Sequence, residues 1–159
     1  MNPRVTAYWR DYLASLAGDH AHRLATPEAF AFGDSPDLAD ELADLVVTGV
    51  KRATASLAIE FGSLGEPLPA AGDVCIVLRG DGLPVAIIER TEVLEQPFGT
   101  VDAAFAAREG EGDGSLASWR ANHRDYFARV CERLGGTFDE CTPVLCQRFE
   151  VIWRGDSVR

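Results

Sequence analysis

The sequence predicts an α+β domain built around a mostly antiparallel sheet or small barrel. Three observations predict it. Along the chain come helices, a cluster of strands, helices again, then a last strand. Two β-rich runs, 73–78 and 85–93, flank Gly80-Asp81-Gly82, which reads as the turn of an antiparallel hairpin. The 159 residues show no internal repeat, long linker or domain boundary. A chain of this length can bury a core without disulfides or metals.

Residues 3–17 predict the first helix. Val5, Tyr8, Trp9, Tyr12, Leu13 and Leu16 recur at helical spacing. Asn2 can cap it, Pro3 suits its first turn and Gly18 its stop. Residues 18–35 read as irregular. A second helix is expected over 36–48, with Ser35 as N-cap and Pro36 as first residue. Asp37, Asp40 and Glu41 favour its positive end. Leu38, Leu42, Leu45 and Val46 form its apolar stripe, and Gly49 supplies a left-handed stop. Strands follow at 52–59, 73–78 and 85–93. A short helix is predicted over 101–108, capped by Thr100. Residues 109–114 (Glu-Gly-Glu-Gly-Asp-Gly) read as neither helix nor strand, with Gly at every second position. Ser115 caps a long helix running to about residue 134. Leu116, Trp119, His123, Tyr126, Phe127 and Val130 mark one face of it. The last strand is expected over 143–153.

Composition narrows the function. Apolar residues make up 47% and charged residues 25%, as in an ordinary globular protein. No run of about 18 apolar residues could cross a membrane. The N-terminus has no basic-then-apolar secretory pattern, so a cytoplasmic location is expected. The net charge is −10. Coating nucleic acid takes clustered Lys and Arg, so tight binding to duplex DNA is not expected, whereas a pocket for one nucleotide remains open. Cys75, Cys131, Cys141 and Cys146 form no CxxC pair and read as idle thiols rather than disulfides or zinc ligands. No metal or cofactor is expected: GxGxxG, a P-loop and a nucleophile elbow are all absent, and His20, His22 and His123 show no ligand spacing.

Basic residues number fifteen, and Lys51 is the sole lysine among them. It stands in Gly49-Val50-Lys51-Arg52-Ala53-Thr54-Ala55-Ser56. A straight strand would send Lys51 and Thr54 to opposite faces, so they meet only if the chain turns between them. A lysine amine can take a proton from a hydroxyl; a guanidinium cannot. The plainer alternative is a solvated basic pair at a strand entrance. Glu109, Glu111 and Asp113 on the Gly-rich segment could hold a metal, orient that lysine or bind ribose hydroxyls, although calcium normally takes a longer, more regular ligand set; the plainer alternative is an acidic turn capping the next helix. Arg120 and Arg124, at i, i+4 spacing beside Trp119 and Tyr126, could hold phosphate.

Phe32-Gly33-Asp34, the Gly49-to-Thr54 motif, Gly72-Asp73, and Glu109-Gly110-Glu111-Gly112-Asp113 with Ser115, Trp119, His123 and Tyr126-Phe127 together resemble an ASCH domain protein. The resemblance is to the small stand-alone bacterial members and runs from about residue 30 to 153. It implies a PUA-like small β-barrel with flanking helices, and a role on RNA or modified nucleosides. Residues 1–29 would form an N-terminal helical extension and 30–159 the ASCH domain as one compact unit. One branch of the superfamily hydrolyses N4-acetylcytidine with a Lys, a Thr and a Glu. These map onto Lys51, Thr54 and Glu109, with Glu111 as the alternative carboxylate. Other members are ribonucleases with a Lys and a Ser, here Lys51 and Ser115.

The expected function is therefore a hydrolase of a modified nucleoside or RNA. A metal-independent ribonuclease and a non-catalytic RNA- or nucleotide-binding module are its rivals. Arg52, Glu111, Asp113, Ser115, Arg120 and Arg124 are the candidate substrate contacts. The cleft would lie between the Lys51 turn and the 109–115 loop. The expected partner is RNA or a modified nucleoside, with no membrane, and the chain is expected as a monomer or homodimer. The departures from the amidohydrolase branch are an extra N-terminal helix, a longer C-terminal half and the Gly-rich acidic loop.

Overall fold

A computed structural model of the chain describes residues 1–155; the end of the expected 30–159 span, 156–159, lies outside them. The fold is α+β. Among the described residues, five α-helices accompany one five-stranded sheet of order β1-β3-β4-β5-β2. The helices are α1 (Pro3–Ala14), α2 (Pro36–Val47), α3 (Ala58–Leu64), α4 (Ala103–Glu109) and α5 (Leu116–Arg133). The strands are β1 (Glu28–Phe30), β2 (Ala53–Leu57), β3 (Val74–Leu78), β4 (Pro84–Pro97) and β5 (Pro143–Trp153). Among the described residues no helix is long and apolar enough to cross a membrane.

The chain forms two compact units. One comprises residues 1–50, 72–90 and 149–155; the other comprises 51–71 and 91–148. In the first unit β3 and β4 pair antiparallel, Ile76 opposite Ile87 and Cys75 opposite Ile88, as the hairpin turn predicts. Side chains alternate between sheet faces. Val74, Ile76 and Ile87 meet Val5, Tyr8 and Tyr12 of α1. Cys75, Val77 and Ile88 meet Leu42, Ala43 and Val46 of α2. A strand covered on both faces must be apolar at every position, and hence residues 74–78 run without a polar interruption.

Several expectations need correction. Residues 18–35 are not wholly irregular. They hold a 3-10 turn at Ala21–Leu24 and the strand β1, which pairs parallel with β3. The first helix stops at Ala14, well short of Gly18. The Ser15 hydroxyl donates to Tyr12 O at 2.6 Å, and the Arg23 guanidinium takes Leu13 O and Leu16 O at 2.8 Å each. The run 52–59 divides into β2 and the start of α3. Glu60 accepts the Leu57 N–H at 2.9 Å, which opens a helix that a left-handed Gly65 closes.

The second unit contains the remaining correction. Thr100 does not cap α4; it ends a 3-10 turn at Phe98–Thr100 and donates to Pro97 O at 2.7 Å. Asp102 is the cap, accepting the Phe105 N–H at 2.9 Å. A carboxylate two positions on also suits the positive helix end better. Ser115 caps α5 by accepting the Ser118 N–H at 3.1 Å, as the sequence predicts. Ala53 and Leu57 of β2 pack with Trp119, Phe127 and Val130 of α5. By the same alternation Thr54 and Ser56 take the opposite face of β2.

Candidate functional site

Lys51 precedes β2 and is wholly buried. An ammonium out of water needs acceptors for its protons and a counter-charge. Here Nζ donates to Ala53 O at 2.8 Å and to Glu111 Oε1 at 2.9 Å. The bond to Ala53 shows the side chain folding back along its own strand entrance. The Arg52 N–H donates to Arg108 O at 2.8 Å. That bond ties the lysine segment to the end of α4, one residue before Glu109.

Two glycines shape the acidic segment. Gly110 has φ +69° and closes α4 as its left-handed cap. Gly112 has φ +59°. Turning at both places lets one carboxylate go inward at Glu109 and the next return to Lys51 at Glu111. Glu109 is 1% exposed. Its Oε2 accepts the Trp119 indole N–H at 2.8 Å and faces His123 Nε2 at 3.0 Å. His123 stacks on the Trp119 ring at 4.2 Å, and its Nδ1 lies 2.9 Å from Trp119 O. Burial pushes the Glu109 carboxyl up, but the Lys51 charge, His123 and the indole outweigh it and leave it below the ordinary value. For His123, burial acts downward, and hydrogen bonding to Glu109 with that carboxylate's charge overcomes it, raising the imidazole. Cys146 on β5 is driven up to about 12 by burial first and by Glu109 and Asp102 next, so it stays a neutral thiol.

The structure thus joins Lys51, Glu109 and Glu111. It adds Trp119 and His123, which the sequence marks as one face of a helix and as part of the family motif but to which it gives no role beside Glu109. Their i, i+4 spacing was the available signal, and its polar purpose appears only once Glu109 lies beside both rings. Thr54 is half-buried in β2, opposite Gln147. Gln147 is buried and donates to Ser56 Oγ at 3.2 Å.

The other predicted contacts have structural partners. Asp113 accepts the Ser115 N–H at 2.9 Å, and the Ser115 hydroxyl and N–H hold its carboxyl below the usual range. The Arg120 Nη2 reaches Gly99 O and Val101 O at 3.4 Å each. Arg124 pairs with Glu140 and lies over the Phe98 ring at 5.5 Å. Arg52 is exposed. Glu109, Glu111 and His123 each bring one oxygen or nitrogen within 4.8 Å of the others. The Lys51 ammonium already supplies a cation to that group.

A family model for the ASCH domain matches residues 28–153. The chain belongs to the ASCH domain family. Members of this family are often linked to RNA binding. A crystal structure of an ASCH domain from Lactobacillus crispatus is 35% identical, with a TM-score of 0.91 over 97% of each chain. The structure of a protein from Enterococcus faecalis, in a family of the domain-of-unknown-function type, is 31% identical. It covers 100% of this chain and 98% of its own, with a TM-score of 0.84. No curated protein matches this ASCH chain. Both likenesses are to small proteins covered over nearly their whole length, as the sequence motifs imply.

Proposed function

We propose that this ASCH protein is a hydrolase that removes an acyl group from the base of a modified nucleoside, N4-acetylcytidine being the expected substrate. One observation carries the reading. The buried Lys51 ammonium lies 2.9 Å from Glu111, whose side chain keeps 29% of its exposure. The carboxylate is therefore open to a ligand, with the buried ammonium directly behind it. Glu109, held by Trp119 and His123, is already engaged, which favours Glu111 as the carboxylate that exchanges protons.

The chemistry is an acyl transfer through Thr54. Its hydroxyl oxygen bonds to the acetyl carbon, and its proton passes to the Lys51–Glu111 pair. The ammonium stabilises the developing oxyanion. The carbon–N4 bond then breaks, N4 takes a proton from the pair and cytidine leaves. Water hydrolyses the resulting threonine ester to acetate, restoring the hydroxyl. The cluster also argues about substrate charge. Glu109 and Glu111 together leave no surplus of positive charge around Lys51. A neutral base amide suits such a site better than a phosphodiester, which favours the amidohydrolase over the ribonuclease.

The test incubates the purified protein with N4-acetylcytidine and, separately, with unmodified RNA. Release of acetate with intact RNA is the expected result. RNA cleavage without deacetylation would overturn the reading in favour of the ribonuclease.

A further inference from the structure

His123 has acceptors at both ring nitrogens. Nδ1 lies 2.9 Å from the carbonyl oxygen of Trp119, which can only accept. Nε2 lies 3.0 Å from Glu109 Oε2, the oxygen that already takes the Trp119 indole N–H. A neutral imidazole has one N–H and would leave one nitrogen lone pair against an oxygen lone pair. Only the imidazolium satisfies both contacts.

We infer that His123 is held as an imidazolium and that, through Glu109, it sets which carboxylate the Lys51 ammonium pairs with. Its meaning for turnover rests on the hydrolase reading; its charge state does not. Four charges then alternate through the site: Glu111, Lys51, Glu109 and His123. While the ring is charged, Glu109 has His123 beside it at 3.0 Å and Lys51 donates to Glu111 at 2.9 Å. When the ring loses a proton, Glu109 keeps the indole N–H but no adjacent cation. Lys51, whose field already acts on Glu109, swings to it and releases Glu111 toward solvent. His123 is a positioning residue, since it acts through Glu109 and Lys51.

The titratable and charged groups around the ring come from several elements. Glu109 faces it from α4, and Glu111 acts on it from the following loop. Lys51, at the entrance to β2, and Cys146, on β5, reach it through Glu109. On α5 itself, Arg124 is paired with Glu140.

The sole lysine makes a direct test available. Lysine labelled with carbon-13 at Cε gives a single resonance. Ring-labelled histidine gives three, with that of His123 assigned by its contact to the Trp119 ring and by its loss in His123→Gln. Both His123 nitrogens should carry protons at pH 6.5, the ordinary imidazole midpoint. The ring should titrate above that pH, and the Lys51 signal should move with the same midpoint. In His123→Gln that step should vanish. A singly protonated His123 ring at pH 6.5 would overturn the inference, and so would a Lys51 signal indifferent to the ring. The unmutated protein alone decides both points, so a poorly folded variant does not blunt the test. The kcat for N4-acetylcytidine should fall through the same midpoint with KM unchanged. Absence of turnover would sink the hydrolase reading and leave the two resonance measurements to decide the charge state by themselves.

Discussion

The Trp119 indole N–H donates at 2.8 Å to Glu109 Oε2, so a core tryptophan and a buried carboxylate stabilise one another. Trp119 is 4% exposed and its ring stacks on Phe98 at 5.4 Å. It serves the apolar core and the polar site at once.

Trp119→Phe keeps an aromatic ring in the core and removes the N–H. Glu109 then loses one donor while buried. The expected cost is about 2 kcal/mol, the range for a hydrogen bond to a charged group. Urea unfolding of the variant beside the parent measures it; a change under about 0.5 kcal/mol would mean that the indole bond does not stabilise the buried carboxylate.

Lys51→Arg keeps the charge but cannot give up its proton near neutral pH. Turnover of N4-acetylcytidine should be abolished while ligand affinity stays within about tenfold, ~1.4 kcal/mol. Thr54→Ser should retain partial activity and Thr54→Ala none. Steady-state rates and equilibrium binding on the same preparations read both effects. Full activity in Lys51→Arg would reduce the lysine to a fixed charge.

The Glu109–His123 pair dictates a pH window for stability. Glu109 titrates below its ordinary 4.5 when folded. Its contribution is present above 4.5 and is lost as pH falls through the depressed value. His123 titrates above its ordinary 6.5. Its contribution is full below 6.5 and is lost as pH rises through the raised value. The pair should therefore stabilise most between those two ordinary values. The stability difference between the parent and His123→Gln should peak there in urea titrations and shrink on both sides. A difference that grows steadily above neutrality would contradict the assignment.

Thiol reactivity should separate the four cysteines. Cys141 is exposed, while Cys75, Cys131 and Cys146 are buried. Burial, ahead of the opposing Arg90, drives Cys75 up to about 11. A thiol reagent near neutral pH should titrate one cysteine in the native protein and four after denaturation. Rapid reaction of two or more native thiols would count against tight packing of β3, α5 and β5.

Much of this was legible in the sequence, for reasons that differ by element. Ser35, Pro36 and Ser115 announced their helices because caps act locally. The β3–β4 hairpin was legible because a two-sided apolar run beside a glycine turn has few other readings. Most of what escaped depends on distant partners. Three-residue β1 is stabilised by pairing with β3, more than forty residues on, whereas α3 escaped for a local reason, its cap being Glu60 turned back to Leu57 rather than a Ser, Thr, Asp or Asn. At the site, opposite charge on two loops suggested that Lys51 meets Glu109 or Glu111, and Lys51 donates to Glu111 at 2.9 Å. Trp119 and His123 look like core residues because they are core residues. Their polar edges acquire a role only from a carboxylate ten and fourteen positions earlier in the chain.

Burial of the only lysine has a practical outcome. A reagent that attacks amines finds no exposed lysine side chain on the folded protein, since Lys51 is buried. Each lysine adduct that forms then records one opening of the structure that exposes Lys51. The rate of such labelling is a clock for that opening, and a ligand that closes the site should slow it in proportion to occupancy.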